Sequence, residues 1–84
     1  MQTVAQMREY INEYVRSQSL ETVGEKLIKE YFGIPFDTTD NDDEFRVNGI
    51  PMSTEETRAY VKEFFEGLDT TAILELYHKL VVWK

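Results

Sequence analysis

Cysteine is absent from this 84-residue chain, and several other residue types are scarce. Without cysteine there is no disulfide framework and no thiolate zinc site, so the folded state must rely on its apolar core. No apolar run approaches the roughly 20 residues of a membrane-spanning helix, and the first residues lack the pattern of a secretory signal. We therefore expect a soluble cytoplasmic protein.

Positive charge is also in short supply. Nine bases stand against 16 acids, which gives a net charge of −7. Attraction to phosphate backbones or anionic lipid is unfavourable at this charge, so we expect neither nucleic acid nor a membrane as a direct partner. Apolar residues make up 42% of the chain. That fraction is enough for one compact core, and the length predicts a single helical domain over residues 1–84.

Apolar residues at spacings of three and four predict two helices in the first part of the chain. The first covers residues 3–17, with Thr3 as its cap and Gln6 completing a capping box. The second begins after Ser19 and ends at Gly33, which can adopt the left-handed conformation that closes a helix.

An acidic loop and a small β-hairpin are predicted in the middle of the chain. Residues 37–44, which we call the acidic segment, read DTTDNDDE and contain five acids and no base. This composition is typical of a solvated loop. Asn48 and Gly49 predict a type I′ turn in which Val47 pairs with Ile50. Four apolar side chains then share one side of the ribbon, namely Phe45, Val47, Ile50 and Met52.

Two further helices are predicted in the last third of the chain. Ser53 and Glu56 form the capping box that opens the third helix, and Gly67 ends it. Asp69 caps the fourth helix. Residues 81–84 contain two β-branched valines, so we expect the chain to leave the helix there as a short strand or a packed tail. The predicted fold is mainly α with a minor β part: four short helices in two pairs, joined by an acidic loop and a hairpin.

Catalytic and metal-binding residues are sparse. His78 is the only histidine, and it lies late in a predicted helix. A surface or half-buried helix position explains it better than a catalytic role does. Ser19 and Ser53 are better explained as helix caps than as nucleophiles. The acidic segment lacks the glycine that a calcium-binding EF-hand requires at its sixth position, whether the loop starts at Asp37 or at Asp40. We therefore predict no catalytic residue, no metal site and no cofactor.

Two features are typical of a binding surface. Tyr10 and Tyr14 lie one turn apart on the first predicted helix, and tyrosine suits half-hydrated interfaces because its hydroxyl stays in water. The acidic segment offers carboxylates to lysine or arginine of a partner. Both features also have simpler interpretations. The tyrosines can form the edge of the internal core, and the acidic segment can be a solvated connection between helices. The predicted partner-binding residues are Tyr10, Tyr14, Asp40, Asp42, Asp43 and Glu44.

Three functional hypotheses follow. The first is a non-catalytic, regulatory interaction module that binds a protein partner and can also self-associate. The second is an inhibitor, of the kind encoded by viruses and mobile elements, that presents carboxylates to a nucleic-acid-binding protein. Outside the acidic segment the chain is close to charge balance, which argues against mimicry of a long duplex. The third is a small enzyme or ligand-binding protein that uses His78.

Overall fold

The computed structural model describes residues 2–41 and 43–83, and over these residues it has four helices and a three-stranded antiparallel sheet. The fold is therefore mainly α with a minor β part, as the sequence predicts. The helices are α1 (Val4–Ser17), α2 (Leu20–Thr22, continued as a π-helix over Val23–Tyr31), α3 (Thr54–Glu66) and α4 (Thr70–Trp83). The strands are β1 (Phe36–Thr38), β2 (Glu44–Val47) and β3 (Ile50–Ser53).

The helices begin at the side-chain caps that the sequence predicts. In α1 the Thr3 hydroxyl accepts the N–H of Gln6 at 3.1 Å, and the Gln6 side chain accepts the N–H of Thr3 at 2.9 Å. Ser53 and Glu56 form the same reciprocal pair at the start of α3. Each such cap contributes about 1 kcal/mol because it satisfies an N–H that has no partner within the helix. The caps of the remaining helices are Ser19 and Asp69.

The hairpin turn and its register are confirmed. Asn48 has φ 52° and Gly49 has φ 81°, the two positive values that a type I′ turn requires. Val47 lies opposite Ile50 and Arg46 lies opposite Pro51, as predicted. Strand β3 is at an edge of the sheet, where proline removes no hydrogen bond from the ladder.

The acidic segment is partly a strand, which corrects the prediction of a loop and a two-stranded hairpin. Strand β1 includes Asp37 and pairs antiparallel with β2, so that Phe36 lies opposite Val47 and Asp37 lies opposite Arg46. The polar composition indicated solvent exposure correctly, since Asp37 is exposed. It did not reveal the strand, because the strand depends on burial of the apolar neighbour Phe36.

The end of α4 was also predicted wrongly, because the helix continues to Trp83. Leu80 lies in the last turns of α4 and is fully buried, whereas Val81 and Val82 are exposed. Packing of Leu80 therefore outweighs the weak preference of β-branched residues for extended backbone.

Helix α2 packs closely against strand β1 at Gly24. The ring of Phe36 lies against the backbone of Gly24, and a Cβ atom at Gly24 would overlap ring atoms Cε1 and Cζ. Most of α2 is π-helical, and the N–H of Phe32 donates to the carbonyl of Leu27, five residues earlier, at 2.9 Å. The helix ends where predicted, with Gly33 at φ 75°.

The core draws on all four helices and on the sheet. Its buried apolar members are Ile11, Val23, Leu27, Ile28, Phe36, Val47, Val61, Phe65, Ile73, Leu76 and Leu80. Thr57 is also fully buried, and its hydroxyl donates to the carbonyl of Ser53 at 2.7 Å, so no hydrogen bond is lost on burial. The core therefore fixes the helices against the sheet without a disulfide.

The contact between Gly24 and Phe36 gives a first prediction. Gly24→Ala should lower the free energy of unfolding by about 1–3 kcal/mol, because the added methyl group must displace a buried ring. Phe36→Leu should also destabilise, but it leaves room for that methyl group. The double variant should therefore be less destabilised than the sum of the single variants, by about 0.5–3 kcal/mol. Urea unfolding of all four proteins measures this coupling, and strictly additive effects would contradict the contact.

The capping box of α3 gives a second prediction. Hydrogen bonds from Ser53 to the exposed Glu56 carboxyl lower its pKa. The bond from the backbone N–H has the larger effect, followed by the bond from the side chain. A lowered folded-state pKa means that this stabilisation is present at neutral pH. This stabilisation is lost as the pH falls below about 4.3, the ordinary pKa of glutamate, and through the lower pKa that Glu56 has in the folded protein.

Glu56→Gln keeps an acceptor for the N–H of Ser53, as Gln6 does in α1, but removes the titrating charge. The unfolding free energy of this variant should fall less steeply than that of the wild type as the pH is lowered through the acid range. Ser53→Ala should instead cost about 1 kcal/mol at neutral pH. Thermal unfolding over a pH series tests both variants. A constant difference between wild type and Glu56→Gln at every pH would contradict the assigned pKa shift.

Candidate binding groove

One arginine connects α1 to the end of α3. The guanidinium of Arg8 donates from Nη1 to the carbonyl of Glu66 at 3.2 Å and from Nη2 to the carbonyl of Leu68 at 3.0 Å. The planar fork of arginine can bridge two acceptors in this way. Elsewhere α1 packs chiefly against α4, and a groove lies between α1 and α3.

This concavity, which we call the α1–α3 groove, has a volume of about 430 Å³. Clefts that hold ligands in proteins typically measure about 300–1,000 Å³. The apolar residues that line it are Val15, Leu20, Val23, Val61 and Phe65. Three of these are fixed in the core, and Val15 and Leu20 are half-buried. The apolar lining of the groove is therefore pre-formed and partly open to solvent.

The polar rim of the groove has the opposite charge from the protein as a whole. Its lining residues are Asn12, Arg16, Gln18, Arg58, Lys62 and Glu66. Three bases and one acid surround the opening in a chain whose net charge is −7. The rim is therefore a local basic patch on an acidic protein.

Two of these bases have no salt-bridge partner among the described residues. Arg16 forms a salt bridge with Glu13 at 2.6 Å, but both side chains are about two-thirds exposed, so the pair contributes little. In residues 2–41 and 43–83, neither Arg58 nor Lys62 takes part in a salt bridge. They lie one turn apart on α3, where like charges repel by about 0.2–0.5 kcal/mol. Arg58 and Lys62 are thus available to an external anion.

The predicted tyrosine pair lies outside this groove. Tyr10 packs edge-on against Tyr77 of α4, with 5.2 Å between ring centroids. Tyr10 and Tyr14 are both half-buried against the core, and neither is among the residues that line the groove. The structure therefore gives both tyrosines an internal packing role. Their role in partner binding stays a prediction.

Three of the predicted acidic residues, Asp40, Asp43 and Glu44, lie at or next to the turn between β1 and β2. Asp40 and Asp43 are exposed, Glu44 is half-buried in β2, and Asp42 lies outside the described residues. Of the acids in the segment, Asp37 forms an exposed salt bridge with Lys29 at 3.7 Å.

Side-chain hydrogen bonds shape this turn. The Thr39 hydroxyl accepts the N–H of Asn41 at 3.1 Å, and the Asn41 side chain accepts the N–H of Asp43 at 3.0 Å. The N–H of Thr54, at the start of α3, donates to the carbonyl of Asp43 at 3.1 Å. The carboxylates are therefore presented on an ordered turn.

An aromatic cluster lies between the end of α2 and α3, and the sequence did not predict that these rings meet. Edge-to-face contacts connect Phe32 to Tyr31, Phe64 and Phe65, and Tyr60 stacks on Phe64. Burial, followed by the nearby charge of Glu75, raises the pKa of the Tyr31 phenol. Phe65 also lines the α1–α3 groove, so the cluster supports the apolar lining from behind.

The features considered for catalysis and metal binding are not brought together. His78 is exposed on α4, 6.1 Å from the ring of Tyr77, and does not line the α1–α3 groove. Within the part of the chain that the structure describes, no group of three or more histidine, aspartate or glutamate side chains is placed to hold a metal ion. Enzymatic activity therefore gains no candidate site from these residues.

The chain matches no protein-family model, no curated protein and no solved structure. None of the helices in residues 2–41 and 43–83 has the length and apolar character needed to span a membrane.

Proposed function

We propose that the protein is a non-catalytic interaction module that binds a segment of a protein partner in the α1–α3 groove. The observation that carries this proposal is an apolar lining, partly open to solvent, beneath a basic rim. The groove has a volume of about 430 Å³, compared with about 200 Å³ for a polar concavity lined mostly by residues of the acidic segment.

The arrangement suits binding for two physical reasons. Covering the half-buried Val15 and Leu20 removes apolar surface from water, which contributes about 25 cal/mol per Å². The walls are helices whose inner residues belong to the core, so little conformational entropy is lost when a partner binds. A pre-formed groove of this kind is typical of modules that bind a peptide segment.

The absence of cysteine allows a direct test, because a single introduced thiol can be labelled selectively. Gln18→Cys, at the exposed rim, would be coupled to a bulky maleimide that obstructs the groove. Glu9→Cys, exposed on α1 and outside the groove, is the matched control. Peptides selected from a random display library on the unlabelled protein should bind at least about tenfold more weakly after labelling at position 18.

The control should show no comparable loss, since its label lies away from the groove. Fluorescence anisotropy measures the peptide affinity of both labelled proteins for this comparison. Equal binding to both labelled proteins, or a library that yields no binding peptide, would refute the proposal.

The acidic segment supports a second candidate function, the binding of a basic protein such as a nucleic-acid-binding partner. The observation in its favour is that Asp40 and Asp43 are exposed on a turn ordered by side-chain hydrogen bonds. Carboxylates held in this way can steer a cationic partner and form salt-sensitive contacts.

An oligo-arginine peptide is a suitable probe for this second function. Neutralising Asp40 and Asp43 to asparagine should weaken its binding at least about threefold more than neutralising Glu25 and Glu30 of α2 to glutamine. The two variants lose the same charge, so net charge alone predicts no difference between them. The difference should shrink as salt is raised. Equal losses in the two variants would show that the acidic segment has no special role.

A further inference from the structure

We infer that the segment bound in the α1–α3 groove is an acidic amphipathic helix, with an apolar face flanked by carboxylates. This inference rests on the proposed function and adds the chemistry of the partner. It follows from the charge of the rim, the geometry of the two walls and the lack of a suitable occupant within the chain itself.

Two cations of the rim, Arg58 and Lys62, favour an acidic occupant. Their side chains are exposed, lie one turn apart beside the apolar lining and have no salt-bridge partner among the described residues. Screening limits charge interactions in water to about 8 Å at physiological ionic strength, so an occupant responds to the rim more than to the distant acids. Carboxylates on the occupant would remove the repulsion between the two cations.

The walls of the groove have a length and spacing that suit a helix. Residues 58–66 of α3 and 12–16 of α1 line the groove at spacings of three and four. With a rise of 1.5 Å per residue, the α3 wall is about 12 Å long, or about two helical turns. A helix packs its own i, i+3 or i+4, and i+7 side chains into such a space. Carboxylates one turn apart on that helix would face Arg58 and Lys62.

Helix α4 of a second copy of the chain exposes Leu74, Val81 and Val82, but it has a single carboxylate, Glu75, and so cannot face both cations. The acidic segment of that copy supplies carboxylates, but the apolar residues beside the segment already pack in the core of their own chain. Phe36 is fully buried, and Phe45 is half-buried in the core. The acidic segment therefore offers no free apolar side chain to cover Val15 and Leu20. An external helix that carries both chemistries fits better.

The experiment uses three synthetic helical peptides and the full chain. The first peptide carries leucines at i, i+3 and i+7 with flanking glutamates, the second has lysine in place of each glutamate, and the third has glutamine in place of each leucine. Isothermal calorimetry near physiological ionic strength should show the first binding on the order of tenfold more tightly than the second. The third should bind more weakly than the first, because it lacks an apolar face.

Charge reversal at the rim provides the decisive comparison. Arg58→Glu with Lys62→Glu should reverse the preference, so that the lysine peptide binds better. Lys26→Glu with Lys79→Glu changes the net charge equally at exposed positions outside the groove and should preserve the original preference. A preference that shifts equally in both double variants would reflect net charge alone and would overturn the inference.

The remaining outcomes separate this inference from the proposed function. If library peptides depend on the groove but show no acidic preference, the interaction module stands and the acidic helix is wrong. If no peptide depends on the groove, both fail. Sedimentation of the protein alone tests the second copy. The inference would be overturned if the protein self-associates and two variants both lose this self-association, namely Arg58→Glu with Lys62→Glu and Asp40→Asn with Asp43→Asn. Another copy would then be the occupant.

Discussion

The packing of the Phe36 ring against the backbone of Gly24 is the constraint on which the sheet depends. An isolated pair of short strands is marginal in water and needs an apolar face to cover. Phe36 provides that connection, because it is fully buried, pairs with Val47 and reaches α2 where no side chain intervenes. Any residue larger than glycine at position 24 would have to displace the Phe36 ring.

Helix α2, which makes this contact, also contributes to the α1–α3 groove. Val23, next to Gly24 in α2, is part of the groove lining. Strand β3 leads directly into α3, which forms one wall, and the N–H of Thr54 ties the start of that helix to Asp43. At the other end of α3, Arg8 holds α1 through the carbonyls of Glu66 and Leu68. The groove is therefore bounded by elements whose positions the core and these hydrogen bonds already determine.

Features that depend on near neighbours could be predicted from the sequence. The caps at Thr3 and Ser53 and the turn at Asn48 involve residues no more than three positions apart. Strand β1 could not be predicted, because its formation depends on a partner strand and on Gly24. The π-helical part of α2 was also missed, since apolar residues spaced as in residues 23–28 are compatible with an α-helix and a π-helix alike.

The candidate site was missed for a related reason. In the sequence, Arg58 and Lys62 resemble the ordinary solvated face of an amphipathic helix, as most charged residues at such positions are. What distinguishes them is a property of the folded chain: an apolar groove lies beside them, and neither forms a salt bridge with another described residue. The tyrosines and carboxylates that the sequence favoured are distinctive in composition, whereas this site is distinctive only in its surroundings. A basic patch on an acidic protein becomes visible only when distant segments meet, and net charge by itself conceals it.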